Sequence, residues 1–140
     1  MYTHLHVQSH YAFLRGLASP QALVDVAVSQ GMDSLALTDH HSLTGAVEFY
    51  DASIERGIHP ILGLEVNVAL PVEFAPVDHG ILVLLAMDRS GWRSLCRLGS
   101  QLNGGEDSLS LDQLSADSAG LICLTGGVRG ALAMLLQSFQ

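Results

Sequence analysis

Short apolar runs alternate with helical stretches along this chain, and that alternation restricts the fold more than any other feature of it. It is the signature of βα units around a parallel sheet. A first strand is expected near residues 3–7. Ser19-Pro20 then supplies an N-cap and a first-turn proline, Leu23, Val24, Ala27 and Val28 form an apolar stripe, and Gly31 closes the helix. Residues 34–38 read as a second strand ending at Asp39-His40-His41, and Ala46, Val47, Phe49, Tyr50 and Ile54 mark a second helix stopped by Gly57. A third strand is expected over 60–69, bent at Gly63. The fourth, over 80–87, is nearly all aliphatic, as a strand buried on both faces should be. Trp92, Leu95, Cys96, Leu98 and Leu102 mark a helix broken at Asn103-Gly104-Gly105. A short helical turn over 109–114, a fifth strand over 120–124 and a helix over 130–139 complete the pattern. Five parallel strands leave an open edge, and a closed barrel needs further βα units. The expected class is therefore α/β, a (β/α) barrel left incomplete, with residues 1–140 the N-terminal part of one domain that continues beyond them.

The chain has 140 residues, enough for one hydrophobic core; 49% are apolar and 14% charged, which argues against disorder. No apolar run reaches the ~18–20 residues of a membrane helix, and no signal peptide is visible, so a bacterial-type cytoplasmic protein is expected. Cys96 and Cys123 stand in apolar segments without a CxxC spacing and read as core residues. The net charge is −8, six arginines carry all the fixed positive charge, and lysine is absent. Binding duplex DNA requires clustered cations that displace counterions, so this stretch is not expected to bind it alone. The missing lysine also excludes a P-loop and a Schiff base within the chain.

Five of the seven histidines fall in two clusters: His4, His6 and His10, then His40 and His41. On a strand, His4 and His6 would present both rings to one face, a half-site for zinc or manganese. An HxH pair alone is a weak signal, because two exposed histidines on an edge strand would look the same. Asp39 and His40 stand at the end of the second strand, Glu65 towards the end of the third and Asp88 just past the fourth. The C-terminal strand ends of a parallel barrel converge on one rim. Four consecutive strands delivering His, Asp or Glu to that rim are harder to explain by helix capping than one would be, which favours a metal site. His59 and His79 precede their strands and are expected at the opposite, stabilising end. Gly126-Gly127 fits an anion site or simply a tight turn.

The segments "THLHVQSHYAFLRG", "GMDSLALTDHHSLTGAVEFY", "GIHPILGLEVNVA", "ILVLLAMDRSGWRSLCRLGS" and "GLICLTGGVRGALA" occur in the order seen in PHP domains of bacterial DNA polymerase III alpha subunits. The resemblance spans essentially the whole chain. It implies a distorted barrel with a cluster of divalent ions, zinc or manganese, held by His, Asp and Glu. It also implies phosphoester hydrolysis in free-standing relatives, and in polymerases either 3′–5′ proofreading or support of the fold. By position, His4 and His6 match the HxH ligands, His40 the TDH histidine and Glu65 the GLE glutamate. This chain departs from the pattern with Gln8-Ser9-His10-Tyr11-Ala12 where His-Ser-Asp-Tyr-Ser is usual. Arg15 stands where an acidic residue is common, and His41 follows TDH in place of a small residue. The family's later ligands are expected beyond residue 140.

Three readings follow. In the first, His4, His6, His40 and Glu65, with Asp39 and Asp88, hold divalent ions, while His10 or His41 completes the shell or acts as acid/base on a 3′-terminal phosphodiester. DNA is then reached through the rest of the polymerase, with other replisome subunits as partners. In the second, the domain is a non-catalytic scaffold of the polymerase. In the third, the chain is a free-standing PHP phosphoesterase or an amidohydrolase, although the bridging lysine common in the latter is absent.

Overall fold

The computed structural model describes residues 2–70 and 78–137. Local signals set the helix ends. Ser19 is extended and its hydroxyl accepts from the Ala22 amide at 3.2 Å, starting α1 (Pro20–Ser29) with proline in its first turn. After β1 (Ser34–Leu37), α2 (Ala46–Arg56) stops at Gly57, whose φ of 74° suits a residue without Cβ. Then come β2 (His59–Ala69), β3 (His79–Ala86), α3 (Arg89–Asn103), α4 (Leu111–Ala116) and β4 (Leu121–Leu124). A 3-10 turn (Gly127–Arg129) leads to α5 (Ala131–Gln137); the last residues of the helix expected over 130–139 lie outside the described residues.

The strands form one sheet in the order β1-β2-β3-β4. β1 and β2 are parallel, with Leu37 opposite Leu62, but β3 runs antiparallel to β2, with Val83 opposite Glu65. The expectation of five parallel strands is thereby corrected to a mixed sheet of four among the described residues. The reason is the connection. Only nine residues, 70–78, separate β2 from β3, whereas a parallel crossover takes a dozen or more. β4 is antiparallel to β3 in turn, so among the described strands β1, β2 and β4 point one way and β3 is inverted.

The expected first strand is corrected as well. Residues 3–7 run beside β1 but do not form a regular strand. The carbonyls of His4 and Val7, three positions apart, accept from Ala36 and Thr38, which are two apart. One residue too many on the outer segment makes a bulge, and the alternation of side chains is lost there.

The described helices α1, α2 and α3 pack on one face of the sheet. Leu35 and Leu37 meet Val24, Ala27, Phe49 and Ala52, while Leu64, Val66 and Val68 meet Leu95, Leu98 and Leu102. The other face carries Ala36, Val83 and Leu85, flanked by Ile61 and Leu124, and by alternation it also receives Thr38, Gly63 and Glu65. Gly63 is required here for space. A Cβ at this position would lie 2.6 Å from the Leu84 carbonyl oxygen and 2.7 Å from the Thr38 methyl carbon. Gly63→Ala should therefore cost about 1–3 kcal/mol of overpacking strain in urea unfolding. A loss below about 0.5 kcal/mol would contradict the close approach of β1, β2 and β3 at this point.

Candidate functional site

The β1–β2 register continues past the end of β1, so His40 lies directly opposite Glu65. The Glu65 amide donates to the Asp39 carbonyl at 3.1 Å and the His41 amide to the Glu65 carbonyl at 2.9 Å. Backbone pairing thus places a carboxylate and an imidazole side by side on the face away from the helices. His40 Nδ1 is 2.8 Å from Glu65 Oε1, and His6 Nε2, from the N-terminal segment, is 2.6 Å from Oε2. Arg15 Nη1 donates to the same Oε1 at 2.8 Å.

Glu65 is 1% exposed, so its charge has no water to lean on. Burial pushes its pKa up, but the hydrogen bonds from His40 and His6 outweigh this and hold the carboxyl well below the usual carboxylate range. The residue is an anion held by three donors. Its neighbourhood opens to a cavity of about 430 Å³ lined by His6, Val7, Gln8, Arg15, Glu65 and Arg129.

His6, His40 and Glu65 are therefore brought together as the sequence suggested. His4 is not. The bulge turns it to an apolar cavity of about 290 Å³ between the N-terminal segment and α1, where it lies with Val7, Leu23 and Leu35. Asp39, next to His40, points to the other face of its strand. It is 1% exposed and accepts from the Ser9 amide at 2.5 Å and the Ser9 hydroxyl at 2.7 Å. Burial pushes its pKa up against the pull of those two bonds, and its contacts fasten the loop after the N-terminal segment to β1. His10 is exposed and edge-on to Tyr11.

Inversion of β3 displaces two more residues, one in each direction. Asp88 lies with His59 and Pro60 at the far end of the sheet, where it caps α3 by accepting from the Gly91 amide at 3.0 Å. Its expected place at the rim is corrected. His79, expected at the far end, instead pairs across from Ala69 and lines a cleft of about 130 Å³ with Arg15, Asn67 and Arg129. His59 pairs with Ser34 at the far end, as expected.

His41 has a different task. Its φ is 53°, an uncommon region for a residue with a side chain, and this turn lays its ring on His40 with centroids 3.9 Å apart. Its Nε2 accepts from the Asn67 amide at 3.0 Å. Burial first, then the nearby His40 and Arg15 charges, lowers its pKa from 6.5 to about 4, so the ring is neutral near neutral pH and fit to accept. Arg15 and Arg129 are the rim residues that pattern reading missed as site members. Arg15 was visible only as an odd residue in the N-terminal loop, and nothing local links it to Glu65.

Imidazole nitrogens and a carboxylate are the donor types that zinc and manganese take, so the set fits such an ion by chemistry. The arrangement differs from a ready coordination sphere: the nitrogens bond to the carboxylate itself, and no group of three or more His, Cys, Asp or Glu among the described residues is disposed to hold an ion. Among those residues no helix is long and apolar enough to cross a membrane.

A mixed α/β sheet with this histidine–carboxylate rim places the chain in a known class. The PHP domain profile matches residues 4–140, and the chain belongs to the PHP domain family. Its relatives include the DNA polymerase III alpha subunit of Treponema pallidum (strain Nichols), 37% identical over 96% of this chain and 12% of that protein. The alpha subunit of Bacillus subtilis (strain 168) is 36% identical over 97% of this chain and 12% of that protein. The resemblance read from the sequence is borne out, and the chain spans about 12% of the length of these relatives. A solved amidohydrolase from Chromobacterium violaceum, with bound sulfate and no metal, is similar at a TM-score of 0.57 and 29% identity. That match covers 73% of this chain and 34% of the other.

The His41 shift has a definite sign. The unfolded state takes up a proton at His41 near pH 6.5 and the native state only near pH 4, so the contribution is complete above 6.5 and lost as pH falls towards 4. His41→Gln should flatten the stability–pH curve between those limits. An NMR titration giving His41 an ordinary pKa would contradict the assignment.

Proposed function

We propose that this chain is the N-terminal PHP region of a bacterial DNA polymerase III alpha subunit, acting in the cytoplasm as part of a DNA-directed DNA polymerase. Polymerase motifs and the remaining barrel strands would lie in sequence beyond it, and DNA and other replisome subunits would be met through the whole protein. Homology along nearly the full chain supports this reading.

The rim is read as the first part of a divalent-metal site for phosphodiester hydrolysis at a primer 3′ end. The observation that carries this is the convergence of His6 and His40 on the buried Glu65 carboxylate. These three residues would hold zinc or manganese. When bound, such an ion would supply Lewis-acid polarisation of a phosphoryl oxygen. His41, neutral and held by the Asn67 amide, would keep the His40 ring in place rather than exchange protons. Arg129, which lines the same cavity, would take a phosphate oxygen. The sulfate in the amidohydrolase relative is consistent with an oxyanion in such a fold. His4, Asp39 and Asp88, together with His10, would serve packing, loop anchorage and capping instead.

A scaffold without catalysis is the second reading, and the Arg15–Glu65 ion pair favours it, because it neutralises the carboxylate without any metal. Full-length protein with Mn²⁺ or Zn²⁺ separates the two. Hydrolysis requires nucleotide release from a primer 3′ end, and His6→Ala should reduce the rate at least about 100-fold while leaving primer extension intact. Equal release by that variant would refute the assignment, and no release by either protein would establish the scaffold.

A further inference from the structure

Arg15 is the one permanent cation in contact with Glu65 among the described residues. Its guanidinium bonds Oε1 at 2.8 Å, the same oxygen that His40 Nδ1 approaches at 2.8 Å. An imidazole can shed its proton and turn a lone pair to an incoming ion, but a guanidinium cannot. An ion seated on Glu65, His6 and His40 would therefore meet a charge that leaves only if the side chain moves.

The fold holds that side chain where it is. Residues 9–16 form a tight loop: the Ala12 amide donates to the Ser9 carbonyl at 3.0 Å, and the Arg15 amide to the Ala12 carbonyl at 2.9 Å. Ala12 is buried beneath it. Gly16 closes the loop so tightly that a Cβ there would lie 2.0 Å from the Ser9 carbonyl oxygen. The Ser9–Asp39 contacts tie the whole loop to β1. Movement is nonetheless open on one side, since the Arg15 side chain is 32% exposed and borders the 430 Å³ cavity. That cavity already contains Arg129, so the rim is locally positive within a chain of net charge −8.

We propose that Arg15 is the built-in counter-cation of this site: it occupies Glu65 in place of a divalent ion, and its displacement sets how weakly the site binds metal. The inference rests on the reading of the Glu65 rim as a metal site. It makes the folded state independent of metal and metal uptake a competition between one bound cation and another.

Mn²⁺ binding to the full-length protein, followed by calorimetry and electron paramagnetic resonance, tests it. Arg15→Gln removes the charge and keeps a hydrogen-bonding group. This variant should bind Mn²⁺ at least about tenfold more tightly than the natural protein, as expected when a close unit charge is removed. Its Tm without metal should fall, and Mn²⁺ should restore it. Arg15→Lys, which keeps the charge, should bind as weakly as the natural protein. Independently of any variant, saturating Mn²⁺ should speed amide exchange in residues 12–16 as Arg15 is released. Equal Mn²⁺ affinity in the Arg15→Gln variant and the natural protein, or binding without altered exchange at 12–16, would overturn the inference while leaving the metal reading intact. No uptake by either protein would overturn both.

Discussion

One buried carboxylate, that of Glu65, organises the end of the sheet where His40 and the N-terminal segment meet. Removing an ion of this size from water costs several kcal/mol even after the surroundings relax, so Glu65 exists only because its partners are in place. Those partners come from three separate parts of the chain: the N-terminal segment through His6, the loop over 9–16 through Arg15, and the end of β1 through His40. The same bonds that neutralise the charge thus fasten the N-terminal segment across the sheet. The ligand role proposed above would draw on the same residue that holds the fold together, because a carboxylate that needs cationic donors when buried is also a carboxylate that metals seek.

Sheet direction decides which side chains share that end. With β1, β2 and β4 pointing one way, His40 after β1 and Arg129 after β4 reach the rim where Glu65 stands on β2. β3 runs the other way, so its entrance, His79, joins the rim and its exit, Asp88, goes to a helix cap at the opposite end. One reversal accounts for both displacements. The His59–Ser34 pairing puts His59 at the far end, where an unreversed strand places the residue at its start.

Helix ends were legible because their causes are local: Ser19 with Pro20, Gly57, and the Asn103-Gly104 break. The meeting of His40 with Glu65 was legible because strand position and residue type pointed the same way, whereas His6 reaches the carboxylate from a segment that is not a regular strand. The direction of β3 follows from the nine-residue link before it, whereas its aliphatic run suggests a strand covered on both faces and so a parallel neighbour. The separation of His4 from His6 depends on a bulge between residues 4 and 7, whose hydrogen-bond spacing no residue pattern announces. Arg15 depends on a contact across fifty positions, so only folding reveals that its charge belongs to Glu65.

Hydrogen–deuterium exchange of Glu65→Gln against the natural protein tests the central role of this carboxylate most directly. The substituted amide keeps the shape of the side chain but cannot hold two imidazoles and a guanidinium as a charge does. The account predicts faster exchange over residues 6–16 and at His40–His41, with α3 unchanged because its packing on Leu64 and Val66 is on the other face. Unaltered protection of residues 6–16 in the variant would contradict it.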